Sequence, residues 1–278
     1  MVLAEKDAVG VLHPPAKGEP RIVSLVPSLT ELLFALELGE SLVGRTHYCI
    51  HPKAPLRDVP SLGGTKKIRM TRLLELAPTH VLMNVDENPK AMADAISEAG
   101  IEVIATHPLT PLDNLPLYRL LGGIFDRAHE AEALCDAFLE AYGKLEEAAK
   151  AWPKRNVLYL IWKDPWMTVA RDTYISETLR LLRWQTIGQE GADRYPKIEL
   201  SPALLQEADI VLFSSEPYAF QPADLDAFRK NFPEARARPI FIDGEMTSWF
   251  GSHAIAGLDY LRGFAERLAR EEEAQAPG

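Results

Sequence analysis

The segment Thr46-His47-Tyr48-Cys49-Ile50-His51 sets two imidazoles and a thiol at alternate positions. Alternate residues of an extended segment share a face. His47, Cys49 and His51 could therefore ligate zinc or a similar metal, with His253 as a further ligand. The plainer reading is that His51 holds a turn before Pro52, Cys49 is buried, and His253 caps a helix or bonds backbone. A second group is aromatic. Trp162, Trp166 and Trp249 are three of five tryptophans, and Tyr48, Tyr218 and Phe250 stand in similar loops. Such rings offer large, rigid contact area with a polar handle. A rim of them suits a bulky, partly apolar, planar ligand; the alternative is that they pack loops onto the fold. If Trp166 and Trp249 face a ligand, truncating either weakens binding far more than folding.

Polar candidates accompany the rings. Lys66, in Leu62-Gly63-Gly64-Thr65-Lys66-Lys67, could meet an anionic ligand, although the run lacks the spacing of a phosphate-binding loop. Asn84, Asp164, Glu216, Asp243 and Glu245 could bind ligand hydroxyls, cap helices or serve as acid–base groups. Neither a GxSxG elbow nor an HExxH helix is present. With no sequence-local nucleophile and base, no catalytic residue is assigned and no cofactor is required; a metal chelate or corrinoid would enter as ligand.

These residues share a location once the elements are placed. Short β-branched or apolar runs predict strands over 21–26, 41–46, 80–84, 102–106, 156–161, 209–213 and 239–243. Helices fall between them over 28–39, 71–76, 89–99, 174–182 and 223–232, with a closing helix over 253–272. Ser28 with Glu31 reads as a capping box, and Gly39 as the stop of that helix. Alternating strands and helices predict an α/β fold with parallel sheets, and the candidates sit at the carboxyl ends of strands, where such sheets bind ligands. The Ala-, Glu- and Leu-rich stretch over 129–152, preceded by a helix over 112–125, joins two lobes. Residues 73–108 and 204–244 repeat the same order of helix end, strand, acidic-Pro loop, helix and strand. The expected organisation is a mobile N-terminal arm over 1–20, a first lobe over 21–125, a linking helix over 126–153 and a second lobe over 154–278. The ligand is expected in an interlobe cleft.

The 278 residues are 47% hydrophobic, enough to fill real cores. A net charge of −10 argues against nucleic-acid binding, which needs a basic face. Two cysteines, Cys49 and Cys135, give no disulfide framework, and Cys135 reads as a core residue of a helix. The first 20 residues lack a basic start and an apolar run, and no stretch is apolar enough to span a membrane. As it stands the chain is expected in the cytoplasm, or in the periplasm if a signal was removed, and as a monomer.

The runs RIVSLVPSLTELLFALELG, GRTHYCIHP and GGTKKIRMTRLLELAPTHVLM, followed by NVLYLIWKDPWMTVARDTYISETLRLL, YPKIELSPALLQEADIVLF and DGEMTSWFGSHAIAGLDYL, resemble the helical-backbone metal receptors. These are the class III periplasmic binding proteins that serve ABC importers of cobalamin and ferric siderophores. The resemblance spans residues 21–268. It implies two α/β lobes on one long helix and a ligand such as cobalamin, haem, a ferric chelate or, in a sister branch, bare zinc or manganese. It places aromatic ligand contacts at Tyr48, in the 162–167 loop, near Tyr195 and around Trp249. It also implies a permease partner docked through one glutamate per lobe, where this sequence has Thr71 and Ser201. Three functions follow for test: a binding protein for a bulky chelate or corrinoid; a bare-metal receptor using His47, Cys49, His51, His107 or His253; and an enzyme using Asp164, Glu216 and Glu245.

Overall fold

A computed structural model describes residues 6–188 and 193–275. The chain divides into two units. Among the described residues, the first comprises 6–108, 112–139 and 250–253, and the second 109–111, 140–249 and 254–275.

The first unit is built on four parallel strands: β1 (Ile22–Ser24), β2 (Leu42–Arg45), β3 (His80–Asn84) and β4 (Glu102–Thr106). They lie side by side in the order β2-β1-β3-β4. Helix α1 (Pro27–Ala35) follows β1, α2 (Met70–Glu75) precedes β3, and α3 (Lys90–Glu98) crosses from β3 to β4. Helix α4 (Asn114–Ile124) then leads into α5 (Ala128–Ala149), and the boundary between the units falls inside α5, after Leu139.

The second unit repeats the plan. Strands β5 (Arg155–Leu160), β6 (Trp184–Thr186), β7 (Ile210–Ser214) and β8 (Arg238–Ile242) are parallel in the order β6-β5-β7-β8. Helix α6 (Tyr174–Arg180) precedes β6, α7 (Pro202–Glu207) precedes β7, and α8 (Pro222–Asn231) joins β7 to β8. The short α9 (Gly244–Ser248) and the long α10 (His253–Gln275) complete the chain. The repeat read between residues 73–108 and 204–244 is thus a repeat of topology: each sheet has the same order.

Helices on a parallel sheet bury its strands on both faces, so such strands read as continuous apolar runs rather than alternating ones. Strands β3 and β7 are buried along their whole length. Around them Val23, Leu73, Val81 and Ile96 form a core in the first unit, and Leu158, Leu205, Val211 and Phe213 one in the second. Each such side chain contributes about 1.5–3 kcal/mol by leaving water. Cys135 is buried on α5, as expected.

Several expectations are corrected. Helix α1 starts at Pro27, with Val26 at the cap position and no side-chain cap bond, so Ser28 does not form a capping box. Proline needs no amide partner in the first turn and arrives with its φ already helical. The same helix ends at Ala35, and Glu37, at φ 56°, rather than Gly39 makes the left-handed turn. Strand β6 and helix α9 were not read from the sequence; at three and five residues, neither is long enough to repeat its period twice.

The expected mobile arm is instead anchored in its described part. Lys6 and Leu12 pair as a small antiparallel bridge. Asp7 Oδ1 accepts the amides of Val9 and Val11 at 3.0 and 2.8 Å, and Asp7 Oδ2 accepts the Ala105 amide at 3.1 Å. His13 stands between Asp7 Oδ2 (3.1 Å) and Glu102 Oε1 (2.7 Å). Both Asp7 and His13 are buried. This strap lies along β4, the edge strand of its sheet.

Candidate functional site

In a sheet of order 2-1-3-4 the chain leaves β1 in one direction and returns to β3 on the other side. Ligands in such sheets bind beyond the carboxyl ends of the strands at this switch point. The switch lies between β1 and β3 in the first unit and between β5 and β7 in the second.

In the first unit, the loop after β2 is shaped by Arg45, whose guanidinium donates to the carbonyls of Thr46, Cys49 and Leu56. The Cys49 amide turns back to the Thr46 carbonyl at 3.3 Å. That turn breaks the extended geometry which would have put His47, Cys49 and His51 on one face. His47 and Tyr48 face solvent, their ring centroids 4.1 Å apart, and Tyr48 is 54% exposed. The two rings sit over Gly64, where an added Cβ would stand 3.3 Å from His47 Cε1 and 3.5 Å from Tyr48 Cε2.

Cys49 points the other way. It is fully buried, with its sulfur 3.2 Å from Thr46 Oγ1 and 3.9 Å from the Ser24 carbonyl, and burial pushes its thiol pKa up. A metal needs the thiolate. His51 and His253 instead line a cavity of about 380 Å³ with Glu31, Phe34, Ala35, Pro52 and Ser252, where His253 Nδ1 meets Glu31 at 3.0 Å. Among the described residues no group of three His, Cys, Asp or Glu is placed to hold a metal. The structure therefore does not assemble the expected metal set of His47, Cys49, His51 and His253.

At the end of β3, Asn84 is buried and its Oδ1 accepts the amides of Asp86 and Glu87 at 2.9 and 3.3 Å. Asn88 Nδ2 donates to the Thr65 carbonyl at 2.9 Å and Lys66 Nζ to the Asp86 carbonyl at 2.8 Å. His107 Nε2 lies 3.2 Å from Asp86 Oδ1. Asn88 and Lys66 thus tie the glycine turn to the switch-point loop, which Asn84 closes on itself.

In the second unit, residues 162–167 form a hairpin closed by a bridge between Trp162 and Met167. Asp164 takes φ 58° at its tip, a conformation aspartate tolerates better than most side chains. Trp162 is 40% exposed and meets Tyr218, on the loop after β7, edge to face at 5.5 Å. This pair stands at the β5/β7 switch point. Below it, Trp166 lies parallel to Phe220 at 6.0 Å and packs on the core, and Tyr218 meets Phe220 at 4.7 Å. Lys163 donates to Asp224 at 2.7 Å. Tyr195 is 38% exposed.

The loop after β8 departs from expectation. Trp249 and Phe250 are 7% and 6% exposed, so neither forms a rim. Trp249 Nε1 and Ser248 Oγ both donate to Glu216 Oε1 at 2.8 Å. Burial pushes the Glu216 carboxyl pKa up; the Ser248 bond opposes this, Glu245 adds to it, the Trp249 bond opposes and Asp243 adds. Gly244 makes the seat: a Cβ there would stand 2.5 Å from Glu216 Cγ and from Ser214 Oγ. Asp243 caps α9 through the Met246 amide, and Glu245 is half-buried. Ser201 Oγ caps α7 through the Leu204 amide, while Thr71 is exposed on α2.

Sequence reasoning missed Phe220 and the buried triad of Tyr159, Ser214 and Thr247 beneath the loops. Tyr159 Oη is 2.6 Å from Thr247 Oγ1 and 3.0 Å from Ser214 Oγ. Gly244 was legible only as one glycine among 17.

Comparison with known proteins points to one family. The family described as "Periplasmic binding protein" matches residues 22–239. A vitamin B12-binding protein of Yersinia pestis (strain Pestoides F) is 25% identical over 213 residues, 74% of this chain and 73% of that one. The periplasmic vitamin B12 binding protein BtuF of Vibrio cholerae superposes with a TM-score of 0.79 at 17% identity, covering 89% of this chain and 96% of the other. The periplasmic heme-binding protein RhuT from Roseiflexus sp. RS-1, in apo form, gives 0.76 at 21% identity, covering 88% and 97%.

Proposed function

Because the chain belongs to the periplasmic binding protein family, we propose that it captures a bulky metal chelate or corrinoid through the aromatic loops at its strand ends. One observation carries the reading. The pair of exposed Trp162 and half-buried Tyr218 stands at the switch point of the second sheet, where an α/β fold receives ligands, and is backed by Trp166 and Phe220. Exposed Tyr48, seated on Gly64, offers a second aromatic surface in the first unit.

The work of the protein is binding without chemistry. Glu216 already accepts two protein hydrogen bonds and Asp243 caps a helix, so these carboxylates serve the architecture. No resident cofactor is called for. The captured ligand passes to an ABC permease, and the chain acts on the exported side of the membrane as a monomer. With Thr71 and Ser201 where docking glutamates were expected, permease contact rests on other surface groups. No helix among the described residues is long and apolar enough to cross a membrane.

Tryptophan fluorescence titration tests the proposal. Cobalamin, haemin, a ferric siderophore, zinc and manganese are added in turn to metal-free protein. Saturable quenching by an organic chelate is expected. Response to bare ions alone, or to none of the probes, overturns the reading.

A further inference from the structure

The connection from β2 through α2 concentrates positive charge in a chain whose net charge is −10. Residues 46–75 set Lys53, Arg57, Lys66, Lys67, Arg69 and Arg72 against two carboxylates, Asp58 and Glu75. Arg72 is half-buried and the other five cations are exposed. Among the described residues none of the six pairs with a carboxylate, whereas Lys90, Arg119, Lys144, Lys163 and Arg229 each hold one. Lys66 and Arg69 donate instead to the carbonyls of Asp86 and Ser61.

The backbone gathers this charge on one flank of the first unit. Strand β2 is the outer strand of its sheet, and residues 60–63 run beside it. The Arg45 amide donates to the Pro60 carbonyl at 3.0 Å, the Leu62 amide to the Arg45 carbonyl at 2.8 Å, and the His47 amide to the Gly63 carbonyl at 2.9 Å. The chain then folds back, with Gly63 bridged to Ile68, and enters α2. Ile68 and Leu73 belong to the core. Neighbours in an extended segment face opposite ways, so Lys67 and Arg69 point away from that core. On α2, burial of Leu73 leaves Thr71 and Glu75 outermost, with Arg72 and Leu74 to either side. Leu74 is 50% exposed, and Ile50, earlier in the same connection, 46%. The far end of the flank is mixed, because Glu37 and Glu40 join Asp58 in a groove beside Pro55. Lys66 reaches the loop that carries Asp86 and Glu87. The uncompensated charge therefore rests on Lys67, Arg69 and Arg72.

We propose that this flank of the first unit lies against an anionic lipid surface, with Lys67, Arg69 and Arg72 at the phosphates and Leu74 among the headgroups. A membrane interface takes cations and apolar side chains together, whereas a dissolved polyanion offers the apolar ones nothing to enter. Carboxylates elsewhere on the chain do not prevent this once they stand farther than about 10 Å from the surface, where salt of about 0.1 M screens them. The inference rests on the carrier role proposed above, because a carrier must meet the membrane that holds its permease.

Co-sedimentation with vesicles tests it, using an equimolar mixture of phosphatidylglycerol and phosphatidylcholine beside phosphatidylcholine alone at about 0.05 M salt. Binding to the anionic vesicles is expected, at least about tenfold above the neutral ones, and should fall steeply at about 0.5 M salt. Each cation near such a surface raises partition about fivefold, so Lys67→Gln with Arg72→Gln should lower it about 25-fold. Lys144→Gln with Lys150→Gln, equal in charge but on α5 and the turn after it, should leave it unchanged. Equal binding to both vesicles, or equal loss in the two double variants, overturns the assignment. Equal affinity for poly-L-glutamate overturns it in favour of an acidic polypeptide. Calorimetric titration with the chelates separates the two readings. Chelate binding without vesicle binding overturns this inference alone, and vesicle binding without chelate binding overturns the carrier role.

Discussion

Two tryptophans of the second unit should answer truncation in opposite ways. Trp249 is 7% exposed and its Nε1 donates to Glu216 at 2.8 Å. Trp249→Ala removes a core side chain, and such changes destabilise by about 3–5 kcal/mol. It also leaves a largely buried carboxyl with one donor fewer, adding about 1 kcal/mol or more. Trp162 is 40% exposed and touches Tyr218 by an edge contact at 5.5 Å. Losing that contact forfeits about 0.5–1.5 kcal/mol. A tryptophan presents about 150–250 Å², so the open part of the ring is about 60–100 Å². Covered by ligand, that area contributes about 1.5–2.5 kcal/mol at roughly 25 cal/mol/Å². Trp162→Ala should therefore weaken binding about 10- to 70-fold with a small change in stability. Urea denaturation followed by circular dichroism gives the stability arm, and calorimetric titration with the preferred chelate the binding arm. With a slope of about 2–3 kcal/mol/M, Trp249→Ala should shift the unfolding midpoint of the second unit down by about 1.3–3 M. Unchanged affinity in Trp162→Ala, or an unchanged midpoint in Trp249→Ala, would refute the assignment of these two side chains.

Three further outcomes are expected. Burial holds the Glu216 pKa above the ordinary carboxylate value of 4.5. Its favourable contribution to folding is therefore complete below pH 4.5 and is lost as pH rises through the native value. Glu216→Gln should flatten that decline, so its stability relative to the parent grows with pH; parallel stability–pH curves would contradict this. His13→Ala leaves Asp7 and Glu102 without the ring that joins them. Hydrogen exchange should then accelerate at the Val9, Val11 and Ala105 amides while β7 stays protected, and unchanged protection of the strap would remove its anchoring role. Finally, the buried, high-pKa Cys49 thiol should react with an aromatic disulfide reagent only on unfolding. Rapid reaction of native protein, blocked by zinc, would restore the metal reading of His47, Cys49 and His51.

The sequence displayed the strands and the repeat because a parallel sheet covered on both faces forces apolar runs such as Ile210–Ser214. It also located the loops that carry the aromatic rings. It did not distinguish which rings face water. Trp162 and Trp249 both stand beyond the end of a strand, and it is the bond from Trp249 to the distant Glu216 that marks the second as buried. The strap was misread for a similar reason. Asp7 and Glu102, joined through His13, lie far apart in the chain, and no local pattern near residue 7 announces the strand it will join. Alternation likewise suggested a metal face over 47–51, and a single turn bond from Cys49 to Thr46 removed it.

Native mass spectrometry most directly tests the central claim that the aromatic strand-end loops capture a chelate. Metal-free protein is incubated with an equimolar mixture of cobinamide, cobalamin, a ferric trihydroxamate, haemin and zinc, and the adduct mass is read. The account predicts one organic chelate per chain, strongly reduced in Trp162→Ala. Zinc adducts alone, no adduct, or an adduct indifferent to Trp162 would contradict it.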